Sequence, residues 1–159
     1  IPGTGTPPLG PLEPLLGSLP GLPTLVLKPS SLHPGGEYRF TLTASTAAGI
    51  GSTSEHVKVN RAPEGGAIEV WPKEGVILET VFEVSTSGWL DEDVPLEYIL
   101  CYLIIDEEGV SGEKVLLTSF SLKSSWSIML PEAGDVELQV VARDKFGAES
   151  VKASTRVNV

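Results

Sequence analysis

The chain has 159 residues, and its 11 Lys and Arg against 21 Asp and Glu leave a net charge of −10. That balance argues against nucleic acid as a partner, since a polyanion is held by Lys and Arg that displace its counterions, and against an anionic membrane surface on the same ground. A single Cys rules out an intramolecular disulfide and a Cys-rich zinc site, while 17 Gly and 13 Pro point to many turns and few long helices.

In chain order, residues 1–23 carry Gly or Pro at over half of their positions, so they cannot hold a helix or a sheet interior. They read as a linker or polyproline-like strut, and the interspersed Leu9, Leu12, Leu15, Leu16, Leu19 and Leu22 suggest that it lies against something apolar. Ile1 is not followed by a charged and then apolar leader, so no signal peptide is expected. The longest apolar run, Tyr98 to Ile105, falls well short of the ~20 residues of a spanning helix, and no membrane span is expected within the chain.

From Thr24 onward the pattern is β. Thr24 to Leu27 offers a short strand, and Tyr38, Phe40 and Leu42 alternate with Arg39, Thr41 and Thr43, the period of a half-buried strand. His56 to Asn60 alternates again, and Val76 to Val84 reads as a strand after the Pro72–Gly75 turn. Leu96 to Ile105 is continuously apolar, as in a strand buried on both faces. Lys114 to Leu122, Ser125 to Leu130, Val136 to Ala142 and Val151 to Val159 complete the set, with Asp106 to Gly109 as a hairpin turn.

An internal repeat organises these strands. Gly36–Asn60 slides onto Gly134–Asn158 without a gap at an offset of 98 residues, matching Gly36 to Gly134, Ala44 to Ala142, Gly49 to Gly147 and Asn60 to Asn158. The expected fold class is therefore all-β: tandem immunoglobulin-like β-sandwiches, the first one incomplete, behind a Pro/Gly-rich N-terminal segment. The boundaries are 1–23 for that segment, 24–60 for the C-terminal part of the first sandwich and 61–159 for a complete second one. Tyr38, Phe40 and Leu42 then lack an opposite sheet of their own. They are the expected interface, covered by the Leu-rich segment folding back or by strands of a neighbouring subunit.

Asn60-x-x-Pro63, Gly65-Gly66, Pro72-x-x-Gly75, Thr80-x-Phe82, Gly88-Trp89, Asp91-x-Asp93 and Pro95-Leu96-x-Tyr98 resemble the REJ (receptor for egg jelly) module of polycystin-1-like and sperm-receptor proteins. Leu130-Pro131 and Asp144-x-Phe146-Gly147 fit as well. The resemblance implies a non-enzymatic extracellular or cell-surface module, in a ciliary, flagellar or sperm setting. Its implied partners are other protein subunits, neighbouring immunoglobulin-like domains or a polycystin-type channel subunit. It also implies a core role for Trp89. One departure stands out: the family's usual Cys pair falls here on Ala67 or Ile68 and on Thr86. The alternatives are a structural repeat of a secreted or surface fibre and, behind it, an accessory binding module of an enzyme.

One candidate site comes from topology. Asp91 and Asp93 lie between the second and third strands of the second sandwich and Asp144 between its last two, loops that share one end of a Greek key. With Glu64 in the preceding linker, these hard oxygen donors could gather Ca²⁺, the one cofactor the sequence suggests; the simpler reading is a solvated acidic turn. Cys101 reads as an inert core thiol, and one of Trp71 and Trp126 as an exposed interface anchor. No pocket signature points to catalysis.

Overall fold

The computed structural model describes residues 16–17, 24–105, 109 and 112–159. Most of the Pro-rich strut, and the turn expected at Asp106 to Gly109 apart from Gly109, lie outside the described residues. The described residues are all-β, with nine strands and no helix. They divide into two compact units, Ile1–Arg61 and Ala62–Val159.

The first unit holds one antiparallel hairpin of β1 (Glu37–Thr46) and β2 (Gly49–Lys58), paired from Glu37↔Lys58 to Thr46↔Gly49. The alternation sorts its faces. Tyr38, Phe40, Leu42, Ala44 and Val57 share one side with Thr53 and Glu55, whereas Arg39, Thr41, Thr43, Ile50, Ser52, Ser54 and His56 share the other. Thr41 and Ser54 bond across the polar side at 2.8 Å. The preceding segment makes an isolated Leu16↔Leu27 bridge, and the Gly17 N–H donates to the Val26 carbonyl at 2.7 Å. β2 starts seven residues earlier than the alternation at His56 suggests, because Gly49–Glu55 holds the single large apolar side chain of Ile50 and so carries no apolar period.

The second unit is a two-sheet sandwich. β3 (Ala67–Trp71), β4 (Phe82–Ser87) and β7 (Ser125–Ile128) form one sheet in the order β3-β4-β7. β5 (Glu97–Ile105), β6 (Val115–Leu116), β8 (Asp135–Arg143) and β9 (Ala153–Asn158) form the other, in the order β6-β5-β8-β9. Between them lie Phe82, Val84, Leu100, Tyr102, Trp126, Leu130, Val136, Leu138 and Val140, all nearly or wholly sealed from solvent. Each such side chain stabilises the fold by about 1.5–3 kcal/mol. β5 explains the unbroken apolar run: Leu100 and Tyr102 enter this core, while Cys101 and Leu103 alternate to the opposite side and are buried there too. The segment after β3 pairs with the end of β9, Gly75 N–H to Asn158 O and Asn158 N–H to Lys73 O, each at 2.9 Å.

Two expectations change. Val76 to Thr80 forms a turn rather than the start of a strand, closed by Val76 N–H to Thr80 Oγ1 at 2.8 Å and Thr80 N–H to Val76 O at 3.0 Å. β3 supplies the strand that was missing upstream. Of the span from Lys114 to Leu122, only Val115–Leu116 forms a strand, and Ser121 adds an isolated bridge to Tyr98 of β5.

Candidate functional site

The loop between β4 and β5 and the loop between β8 and β9 meet at one end of the sandwich. Hydrogen bonds to the backbone fix each loop. The Asp91 Oδ1 accepts the Asp93 N–H at 2.7 Å, a turn that a short carboxylate side chain closes on its own backbone. The Asp144 Oδ1 accepts two N–H groups, from Phe146 at 2.8 Å and Ala148 at 2.9 Å, and Asp144 is only 2% exposed. The Lys145 N–H then donates to the Asp93 carbonyl at 3.3 Å and stitches the two loops together.

This arrangement brings one carboxylate oxygen each of Asp91, Asp93 and Asp144 within 4.8 Å of one another. Three negative groups so close repel one another, and the Lys145 Nζ, 3.1 Å from Asp93 Oδ1, offsets part of that cost. The Asp91 Oδ2 is buried without a hydrogen-bond partner among the described residues. Three carboxylates could fill three of the six to eight oxygen positions of Ca²⁺, leaving the rest to carbonyls and water. Glu64 is not in the cluster. Its backbone pairs with Leu90, N–H to O at 3.1 Å and 2.8 Å in the two directions. Lys145 is the member that sequence reasoning missed; its position next to Asp144 was the available signal.

Trp89 sits beside this end and packs against the core, its ring centroid 6.5 Å from that of Tyr98. A Cβ on Gly66 would lie 1.9 Å from the indole, so only glycine lets the ring cover the backbone there. The indole N–H donates to Thr86 Oγ1 at 2.7 Å, and that hydroxyl donates to the Ala67 carbonyl at 2.7 Å.

Residues 16–159 match the family model of the REJ domain. The chain belongs to the REJ domain family. REJ domains are a non-catalytic module family of the extracellular regions of polycystin-like proteins. In this REJ chain, the Thr86 hydroxyl stands at one of the positions where the resemblance placed the family's Cys pair, and its bond to Ala67 ties β4 to β3 there. No helix among the described residues is long and apolar enough to cross a membrane.

The structure treats the three expected interface residues differently. Tyr38 is only 6% exposed, and its hydroxyl accepts the His33 N–H at 2.9 Å, so the turn of its own unit covers it. Phe40 is half-buried, and Leu42 stands 66% exposed. Cys101 is wholly buried, and burial pushes its thiol up, with the nearby Lys114 acting in the opposite sense. A thiol held protonated is a poor nucleophile.

Proposed function

We propose that this REJ chain is an adhesion or assembly module of a polycystin-like cell-surface protein, in a ciliary or flagellar setting, and that it works by protein–protein contact without catalysis. The observation that carries this reading is the hairpin of the first unit. A two-stranded ribbon is marginal in water by itself, and among the described residues this one has no third strand and presents Phe40, Leu42, Ala44 and Val57, beside Thr53 and Glu55, on a single side. The second unit supports the idea by contrast, since its equivalent hairpin, β8–β9, is flanked by β5 and faced by a second sheet. The natural covers are strands of a neighbouring subunit or sandwich domain. Sedimentation of the full chain tests this: concentration-dependent association that Leu42→Asp abolishes supports it, and a monomer whose β1 amides resist exchange contradicts it.

Within the same reading, the acidic end of the sandwich is a Ca²⁺ site of Asp91, Asp93 and Asp144, which would stiffen the two loops. The buried, unpartnered Asp91 Oδ2 favours this. Millimolar Ca²⁺ is expected to raise the melting temperature of the chain but not of Asp91→Asn with Asp144→Asn. An unchanged midpoint, or an equal rise in both, removes the site.

A further inference from the structure

The chain has three tryptophans with three different surroundings. Trp126 is buried in the core, Trp89 is half-buried and hydrogen-bonded, and Trp71 is 74% exposed. Trp71 ends β3, where Ile68 and Val70 turn toward the core and Glu69 and Trp71 turn outward. The register places Glu83 directly across from Trp71 on β4. Side chains paired in this way stand about 5 Å apart at Cβ. The Ser127 hydroxyl donates to Glu83 Oε2 at 2.8 Å and anchors that carboxylate on the outer face. Val81 and Met129, each next to the paired residues Phe82 and Ile128, are about half exposed at the same end. The outward positions of the three strands otherwise hold Ala67, Ser85, Ser87 and Ser125, so their charged groups are Glu69 and Glu83 alone.

We propose that the outward face of β3–β4–β7 is a docking surface for a Lys- or Arg-bearing segment of a partner protein, with a cationic head on the Trp71 indole and its charge met by Glu83 and Glu69. Charge complementarity selects this occupant. The indole face attracts cations, and two carboxylates beside it add to that attraction. A second copy of the chain would set glutamate against glutamate between molecules that each carry a charge of −10. The inference rests on the protein-contact reading but uses a different unit from the hairpin, so a failure at Leu42 and a failure at Trp71 are separable.

Calorimetric titration of the full chain with octa-arginine and octa-lysine tests it. Saturable binding is expected, weakened at least tenfold by Trp71→Ala and by Glu69→Gln with Glu83→Gln. The control Glu113→Gln with Glu149→Gln removes the same charge elsewhere and is expected to change affinity less than twofold. All these positions are exposed, and unchanged melting of each variant verifies that the fold is kept. Absence of saturable binding overturns the proposal, as does equal weakening by the control pair, which would reduce the effect to net charge. A dimer of the wild-type chain that Trp71→Ala dissolves also overturns it, by giving the face to a second copy.

Discussion

Hairpins β1–β2 and β8–β9 carry matching sequences, yet they are joined and flanked differently. The 98-residue offset sets Thr46 in the place of Asp144. The Asp144 carboxylate accepts two backbone N–H groups and holds open a loop that reaches from β8 to β9 at Ala153. The Thr46 hydroxyl accepts only the Ala48 N–H, at 3.2 Å, and the strands close in a two-residue turn. Glu37 consequently faces Lys58, whereas the repeat alone would set it against Asn60, as Asp135 faces Asn158. A slip of two residues keeps every side chain on its face, so the apolar side survives the change of register. The lesson is that a sandwich strand is recognisable by its alternation, but its stability comes from what lies against it. β8 lies between β5 and β9, while among the described residues β1 pairs with β2 alone.

The largest separation between the units is expected from a core truncation. Phe82→Ala removes a side chain that is 0% exposed and should cost about 3–5 kcal/mol. Denaturant melts followed at Trp126, which is buried in the same core, would read the loss in the second unit. Thr86→Ala comes next. It leaves the Trp89 indole N–H and the Ala67 carbonyl without their shared partner, for a loss of about 1–3 kcal/mol. A near-neutral Thr86→Ala would show that the hydroxyl does not secure β3 to β4.

Smaller effects sharpen the comparison further. Hydrogen bonding from Ser154 holds the Glu137 carboxyl below the usual carboxylate range, with Gln139, Lys152 and Arg156 adding to it against the opposing effect of burial. A lowered folded value means that this stabilisation is complete above the unfolded value of about 4.3 and fades as pH falls through the folded one. Glu137→Gln should therefore destabilise the second unit at neutral pH and converge on the wild type in acid, as read from melting midpoints between about pH 7 and pH 3. An undiminished gap in acid would assign the loss to packing. Phe40→Ser and Leu42→Ser should leave the second unit's melt within about 0.5 kcal/mol, since they lie in the other unit.

Much of this architecture was legible from residues. The apolar run of β5, the alternation of β1 and the convergence of Asp91, Asp93 and Asp144 follow from period and Greek-key topology alone. β3 was not legible, because five residues after a Gly-Gly pair, with Glu69 in the middle, give too short a period to separate from a loop. The apolar Val76-Ile77-Leu78 carries the stronger strand pattern, although Thr80 closes that segment into a turn. Missing β3 also hid the orientation of Trp71, for an outward side chain is defined only once its strand is. Nor could alternation foresee that the His33–Gly36 turn covers Tyr38 while leaving Leu42 in solvent. That turn depends on Gly36, where a Cβ would lie 2.7 Å from the Tyr38 ring.

The second unit packs two sheets on a shared core, whereas the hairpin of the first is the contact face proposed above. Amide hydrogen exchange on the full monomeric chain reads both halves in one experiment. Slow, globally limited exchange is expected in β5 and β8, and fast exchange along the outer half of the hairpin, Leu42–Thr46 and Gly49–Thr53. Protection of the hairpin in the monomer equal to that of β5 would contradict it.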